Sequence, residues 1–281
     1  MIDPTRPGDL ESLLRRHRIT LQHRLGQNFL IDAALRDAIA EAAVADRDDE
    51  LLEVGAGVGT LTVALAARAL RVVAVEFDRN LIPALREVVA GHDNVEVVQA
   101  DILRYDVHAR FPRGGEVVAG NIPYNLTGAL IPKLLDHAPR PRRLSFVVQK
   151  EVAQRWTATT MASLATVAVQ VFAEPRLVMT IPASAFTPPP RVDSALVVLE
   201  VRDRPAVQVD DMTAFLRLVE EVFQFRRKQL GGTVARIAGV SGAGAAALLR
   251  AAGVDPERRP QTLALHEWEA VYRAVNSGAG R

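Results

Sequence analysis

The chain has 281 residues, 49% of them hydrophobic, a formal net charge of +1 and no cysteine. Enough apolar residue is present for one full domain and a smaller one, while the lack of thiols excludes disulfides, thiol nucleophiles and cysteine-bound zinc. The near-neutral balance excludes a global basic field as an argument for nucleic acid, no run of about 18 apolar residues is available to span a membrane, and the six histidines lack metal-ligand spacing.

Near the start, Asp3, Arg6, Asp9 and Glu11 do not read as a secretory leader, so the expectation is a cytoplasmic, metal-free protein. Arg15, Arg16, Arg18 and Arg24 follow, and charge alone reads them as a solvated helix face. Between about Glu50 and Glu200, β-branched runs alternate with amphipathic stretches. Leu51–Val54, Val72–Val75, Val95–Val98, Val117–Ala119 and Phe146–Val148 predict five buried strands. Leu61–Ala69, Asn80–Ala90 and Thr127–Asp136 predict helices between them. Such alternation implies right-handed crossovers and a doubly wound, mostly parallel α/β sheet. After Pro175, the runs Arg176–Ile181 and Ser194–Val201 are joined by a Pro-rich loop without a helix, which predicts an antiparallel pair closing the sheet edge. A boundary is expected at Asp203-Arg204-Pro205, with residues 1–203 as the main domain and 204–281 as a small all-α domain. In the latter, Phe215, Leu218, Val219, Val222 and Phe223 recur at helical spacing. Gly231-Gly232, an Ala/Leu helix and a last helix around Trp268 follow.

Glu53-Val54-Gly55-Ala56-Gly57-Val58-Gly59-Thr60 leads from the first strand into the first helix. Glycines there let the backbone turn sharply and approach a ligand, and N–H groups at a helix start favour a carboxylate or phosphate. Glu76 ends the second strand about 20 residues on, where an acid reaches ribose hydroxyls. Asp101 follows the third strand, within reach of an adenine amine. A dinucleotide fingerprint needs glycine where Thr60 stands. The spacing therefore fits S-adenosylmethionine, which has no pyrophosphate to seat, better than a nicotinamide cofactor.

Asn121-Ile122-Pro123-Tyr124 closes the fourth strand. The exocyclic amine of adenine is a poor nucleophile because its lone pair is delocalised into the ring. A side-chain and a backbone carbonyl that accept its hydrogens draw that pair out of conjugation, and an aromatic ring stacks on the base. Pro123 fixes its own φ and restricts Ile122, so the carbonyls point one way. Asn and Pro are also common turn residues. The acids on the neighbouring strand ends are what favour chemistry here.

These motifs, with Leu25-Gly26-Gln27-Asn28-Phe29-Leu30 ahead of them, occur in an order that resembles the rRNA adenine N6-methyltransferase family across almost the whole chain. Gln149-Lys150-Glu151-Val152-Ala153, the stretch Ala185 to Ser194, Phe225-Arg226-Arg227-Lys228 and the ending Gly253 to Arg259 make it most similar to the small-subunit rRNA adenine dimethyltransferase branch. The resemblance implies a class I methyltransferase sheet of about seven strands and S-adenosylmethionine as donor. Gln27, Asn28, Leu30, Gly55, Gly57, Glu76, Asp101 and Asn121 would lie on the donor. Asn121, Tyr124 and Phe186 would meet the flipped adenine, the two rings on opposite faces, and Phe29 would shape the pocket. Arg226, Arg227 and Lys228 would contact RNA, and the partner would be rRNA within the small ribosomal subunit or its precursor, bound by a monomer. Two segments depart from the family: Arg155 to Met161 is shorter and lacks its Lys-x-Tyr-Gly element, and Gln229-Leu230-Gly231-Gly232 replaces its Thr-Leu-Arg-Asn. Three other readings compete: a large-subunit rRNA adenine methyltransferase conferring macrolide resistance, a non-catalytic RNA-binding relative in ribosome assembly, and a nicotinamide-dependent oxidoreductase. Thr60 disfavours the last.

Overall fold

The computed structural model describes residues 2–21, 27–123, 126–135 and 138–279. Nine strands are formed among them: β1 Phe29–Leu30, β2 Glu50–Val54, β3 Arg71–Glu76, β4 Val95–Gln99, β5 Val117–Asn121, β6 Arg143–Gln149, β7 Ala173–Ile181, β8 Phe186–Thr187 and β9 Ser194–Val201. The helices are α1 Pro7–Arg16, α2 Ala33–Ala43, α3 Thr60–Ala66, α4 Ile82–Val89, α5 Val107–Arg110, α6 Thr127–Leu135, α7 Lys150–Trp156, α8 Leu164–Phe172, α9 Met212–Phe223, α10 Leu230–Ala238, α11 Gly242–Ala251 and α12 Leu265–Ala279.

Seven strands join in the order β4-β3-β2-β5-β6-β9-β7. From β4 to β6 every pairing is parallel, and β9 runs antiparallel to β6. Leu51 and Leu52 are both fully buried, as are Val72 and Val73, and Val117 and Val118. Central strands covered on both faces need continuous apolar runs, which is why these segments lack a polar alternation. The expected five parallel strands are present, and the two later runs occupy the expected edge.

Register decides what lies on each face. Leu51 is opposite Val72 and Val117, and Glu53 is opposite Ala74 and Ala119. Side chains alternate along a strand, so Glu53, Glu76 and Asn121, each an even number of residues from these partners, share one face. That face carries the core built from Ile39, Ala40 and Ala43 of α2, Leu61 and Leu65 of α3, and Leu51, Val72, Val117 and Val147 of the sheet. β2 lies between β3 and β5, so successive connections leave β2 in opposite directions and open a crevice at the C-terminal strand ends.

Helix ends follow local chemistry. Asp32 caps α2 through Leu35 N (2.9 Å), Ser163 caps α8 through Thr166 N (3.2 Å), and Asp211 caps α9 through Ala214 N (2.9 Å). α1 buries Leu10 and Leu13 beside Leu81, Ala84 and Val88 of the α4 region. Arg16 and His17 both pair with Glu87, at 3.1 and 2.5 Å. Arg16 of the N-terminal basic cluster, half-exposed, is thus already paired with an acid of the fold. Arg24 lies outside the described residues.

The chain forms two compact units, residues 1–153 with 175–201, and residues 154–174 with 202–281. The second break falls beside the expected boundary. Residues 154–174, assigned by sequence to the main domain, cluster instead with the helical unit. α8 explains why: Ala165 to Val169, Val171 and Phe172 are all buried, so this helix has no solvated face and needs neighbours all round. In that unit Phe215 packs edge-on to Tyr272 with centroids 5.7 Å apart, and Phe223 lies 5.2 Å from Trp268.

Candidate active site

Gly55, Gly57 and Gly59 each adopt a positive φ, +73°, +61° and +91°, which side-chain-bearing residues rarely take. The turn they make folds back on β3: Gly55 N and Ala56 N both donate to Val75 O (2.9 and 3.2 Å). At Gly57 the space is also needed, since a Cβ would lie 3.3 Å from the Phe29 ring. The turn and the adjacent strand ends enclose a cavity of about 340 Å³.

Gln27, Asn28, Leu30, Gly55, Gly57, Glu76, Asp101, Asn121 and Phe186 all line this cavity. Residues from the arm ahead of α2 (residues 27–31), the glycine turn, three strand ends and the segment before β9 are thereby brought to one place. Tyr124 lies outside the described residues. Arg226, Arg227 and Lys228 are exposed on the turn between α9 and α10 in the second unit. Phe29 lines the cavity and also packs with Leu10, Leu13 and Val58 in a buried cluster.

Each polar group is held in a definite orientation. Glu76 accepts Gly57 N on Oε2 and Asp78 N on Oε1, both at 2.7 Å. Burial raises its carboxyl above the usual carboxylate range, against the pull of those N–H groups. Asp101, more exposed, accepts Leu103 N at 3.0 Å. Asn121 donates from Nδ2 to Asn28 O at 3.1 Å, which leaves Oδ1 as the acceptor end of the amide. Ile122 N donates to Val147 O at 3.0 Å, pinning the start of the turn to β6. The small ladder of β1 and β8 pairs Phe29 with Thr187 and Leu30 with Phe186, and Leu30 and Phe186 share one buried cluster.

Sequence reasoning missed several lining groups. Phe77 is 59% exposed and stands at the mouth with Leu103; its signal was an aromatic residue directly after an acid at a strand end. Glu53, seen only as part of the loop, lines the cavity at 1% exposure, and its Oε2 has no hydrogen-bond partner. Thr60 Oγ1, also lining it, is likewise unpartnered. Buried polar atoms without partners are costly, so these two fit a ligand that carries its own polar or cationic groups.

Burial pushes the Glu53 carboxyl up to about 8, opposed by the Thr62 hydroxyl and helped by the charge on Glu76. An acid whose folded-state pKa exceeds its unfolded value of 4.5 binds more protons when folded. Its contribution to stability is complete below the unfolded value and disappears as pH rises through about 8. Glu116, pushed up to about 7 by burial, acts in the same sense. Thermal melts of the wild type should therefore fall between pH 5.5 and 8.5 (chosen to span these values), and Glu53→Gln should flatten part of that fall. An unchanged slope in the variant would mean that Glu53 is ionised throughout.

What this arrangement offers is a glycine turn for close backbone approach, an acid for vicinal hydroxyls and an apolar mouth for a flat ring. It also sets a carbonyl acceptor and an aromatic ring at the far side. Among the described residues, no three His, Asp or Glu side chains converge as a metal-binding group.

A model of ribosomal RNA adenine dimethylases matches residues 18–271. The ribosomal RNA small subunit methyltransferase A of Pelotomaculum thermopropionicum is 41% identical over 297 aligned positions, covering 100% of both chains. The protein of the same name from Shouchella clausii is 35% identical, over 98% of this chain and 96% of its own. Among solved structures, the 23S rRNA methyltransferase ErmE is 30% identical with a TM-score of 0.68, over 89% of this chain and 100% of that one. With the match spanning nearly its full length, the chain belongs to the ribosomal RNA adenine dimethylase family.

Proposed function

We propose that the protein transfers methyl groups from S-adenosylmethionine to N6 of adjacent adenines in small-subunit (16S) rRNA, acting in the cytoplasm as the particle matures. The single observation that carries this reading is the convergence of Glu76, Gly57, Asn121 and Phe186 on one cavity. The Pelotomaculum relative named for the small subunit is 41% identical over the full length, against 30% for the large-subunit enzyme ErmE.

The donor, when bound, supplies a methyl group already activated on a sulfonium. The work of the chain is therefore positioning and electrostatics. Glu76 would accept the ribose hydroxyls, Asp101 would face the adenine amine, Gly55 and Gly57 would give the methionine portion room against the backbone, and Gln27, Asn28 and Leu30 would close from the arm. On the acceptor side, Asn121 Oδ1 and a backbone carbonyl of its turn take the two hydrogens of the target amine. Phe186 stacks on one face of the flipped base and Tyr124, by its place in the sequence, on the other. Such stacking is worth about 1–3 kcal/mol per base, which offsets part of the cost of unstacking. With the donor bound, these residues would hold the target nitrogen facing the activated methyl, and the amine proton would pass to water once the methyl is accepted. No strong base is required.

Arg226, Arg227 and Lys228, exposed on their turn, are assigned to RNA phosphates. Neutralising all three should lower the slope of log affinity against log salt by about 2–3, since each released contact removes about 0.7–0.9. Filter binding to small-subunit particles across a salt series measures this, and an unchanged slope would return the three to an ordinary solvated face.

The function itself is tested by incubating the protein with undermethylated small and large ribosomal subunits and labelled donor, then mapping the label. Label on adenine N6 in the small subunit is expected. Label confined to the large subunit would transfer the assignment to the macrolide-resistance type, and donor binding without transfer to either would leave a non-catalytic relative.

A further inference from the structure

The arm Gln27–Ile31 touches both halves of the site. At its start Gln27 Nε2 donates to Asp78 Oδ2 at 2.8 Å. Next, Asn28 O receives the amide N–H of Asn121, and the Phe29 ring lies against Gly57. Leu30 then pairs with Phe186, and Ile31 N donates to Ala185 O at 2.8 Å. Five consecutive residues thus meet the turn after β3, the glycine turn, the catalytic Asn and the stacking ring.

Asp78 sits where this arm meets the donor side. It is buried and is not among the cavity-lining residues. Its Oδ1 accepts Asn80 N and Nδ2 at 3.0 and 2.9 Å, so the carboxylate is held rigidly by its own turn. Its backbone N–H donates to Glu76 Oε1. The side chain that grips the arm and the backbone that orients Glu76 therefore belong to one residue.

We infer that Asp78 is a positioning residue: by holding Gln27 it seats the arm, so that the donor half and the acceptor half of the site form together. This rests on the methyl-transfer reading given above. Release of the Asp78–Gln27 contact should loosen donor binding and misplace Asn121 and Phe186, although Asp78 touches neither substrate. The geometry predicts coupling between the two halves, donor occupancy favouring a competent acceptor pocket. Reciprocity requires the target base to tighten donor binding in turn.

The test uses the full chain with S-adenosylmethionine and undermethylated small-subunit particles. Donor Kd is read by calorimetry, kcat by label transfer and particle Kd by filter binding, with a thermal melt for each variant. Gln27→Glu sets two carboxylates against each other and should weaken donor binding three- to tenfold and lower kcat about tenfold, leaving particle affinity within twofold. Asp78→Asn alone keeps its oxygen on Asn80 and presents Nδ2 to Gln27, which meets it by turning its amide to offer Oε1, and should stay within about threefold of wild type. The swap Gln27→Glu with Asp78→Asn restores a donor–acceptor pair and should recover both donor Kd and kcat to within about threefold of wild type. A swap no better than Gln27→Glu, or a Gln27→Glu variant indistinguishable from wild type, overturns the tether. Wild-type protein that transfers no label overturns the function instead, and donor Kd across the same variants still decides the tether.

Discussion

Asn121→Ala is expected to lower kcat for methyl transfer by about 10²- to 10³-fold, the range seen when one preorganised polar group is removed from a reacting centre, while particle affinity stays within about twofold. The separation follows from geometry. Asn121 projects into the cavity from the end of β5, whereas RNA affinity is assigned to phosphate contacts elsewhere. Asn121→Asp sharpens the point. A carboxylate is the stronger acceptor, so if acceptance alone mattered the variant would retain activity. Here the amide nitrogen donates to Asn28 O, and a carboxylate in that place has no hydrogen to offer and repels the carbonyl. Aspartate should therefore lose most of the activity that alanine loses. Single-turnover rates with saturating donor make the measurement; parallel losses of rate and particle affinity in the alanine variant would remove Asn121 from the chemistry.

The second large effect concerns Glu76. Glu76→Ala deletes the proposed acceptor for the donor's ribose and also strands Gly57 N and Asp78 N, each now 2.7 Å from a carboxylate oxygen. Leaving a buried donor unpaired costs about 1–3 kcal/mol, so the variant should lose several degrees of Tm in addition to donor affinity. Donor Kd should rise at least about 100-fold, as expected for losing interactions worth roughly 3 kcal/mol. Glu76→Gln retains one acceptor oxygen but turns an amide N–H toward one of the two backbone donors, and should fall between wild type and alanine in both measurements. Calorimetric titration with S-adenosylmethionine and a melt on the same samples decide the matter. Full donor affinity in Glu76→Ala would place the ribose elsewhere.

Much of this site was legible without coordinates because its signals are local. Glycines at 55, 57 and 59 announce a turn of positive φ, and the structure gives all three that conformation. Acids at 76 and 101 and the Asn-x-Pro turn at 121 stand directly after β-branched runs, so their positions at strand ends followed from strand length. The α/β alternation gave the parallel sheet for the same reason. What stayed hidden was non-local. Only Thr166 and Gln170 of the nine residues of α8 are polar, so no broad polar stripe distinguished it from a strand or assigned it to a unit. β1 and β8 are two residues each, too short for any periodicity. Glu53 looked like part of a loop consensus, because only burial makes an acid at that place unusual.

The amino-acid order by itself determined which chemical groups stand at each strand end, since strand propensity, glycine turns and side-chain alternation act over a few residues. Only the tertiary structure decided that Glu53, Glu76 and Asn121 face the same side. A shift of one residue in any pairing would send that strand's group to the opposite face, and the register is set by packing on α2 and α3. The seating of Asn28 against Asn121, 93 residues apart in sequence, was decided in the same way, because no local preference reaches across that separation.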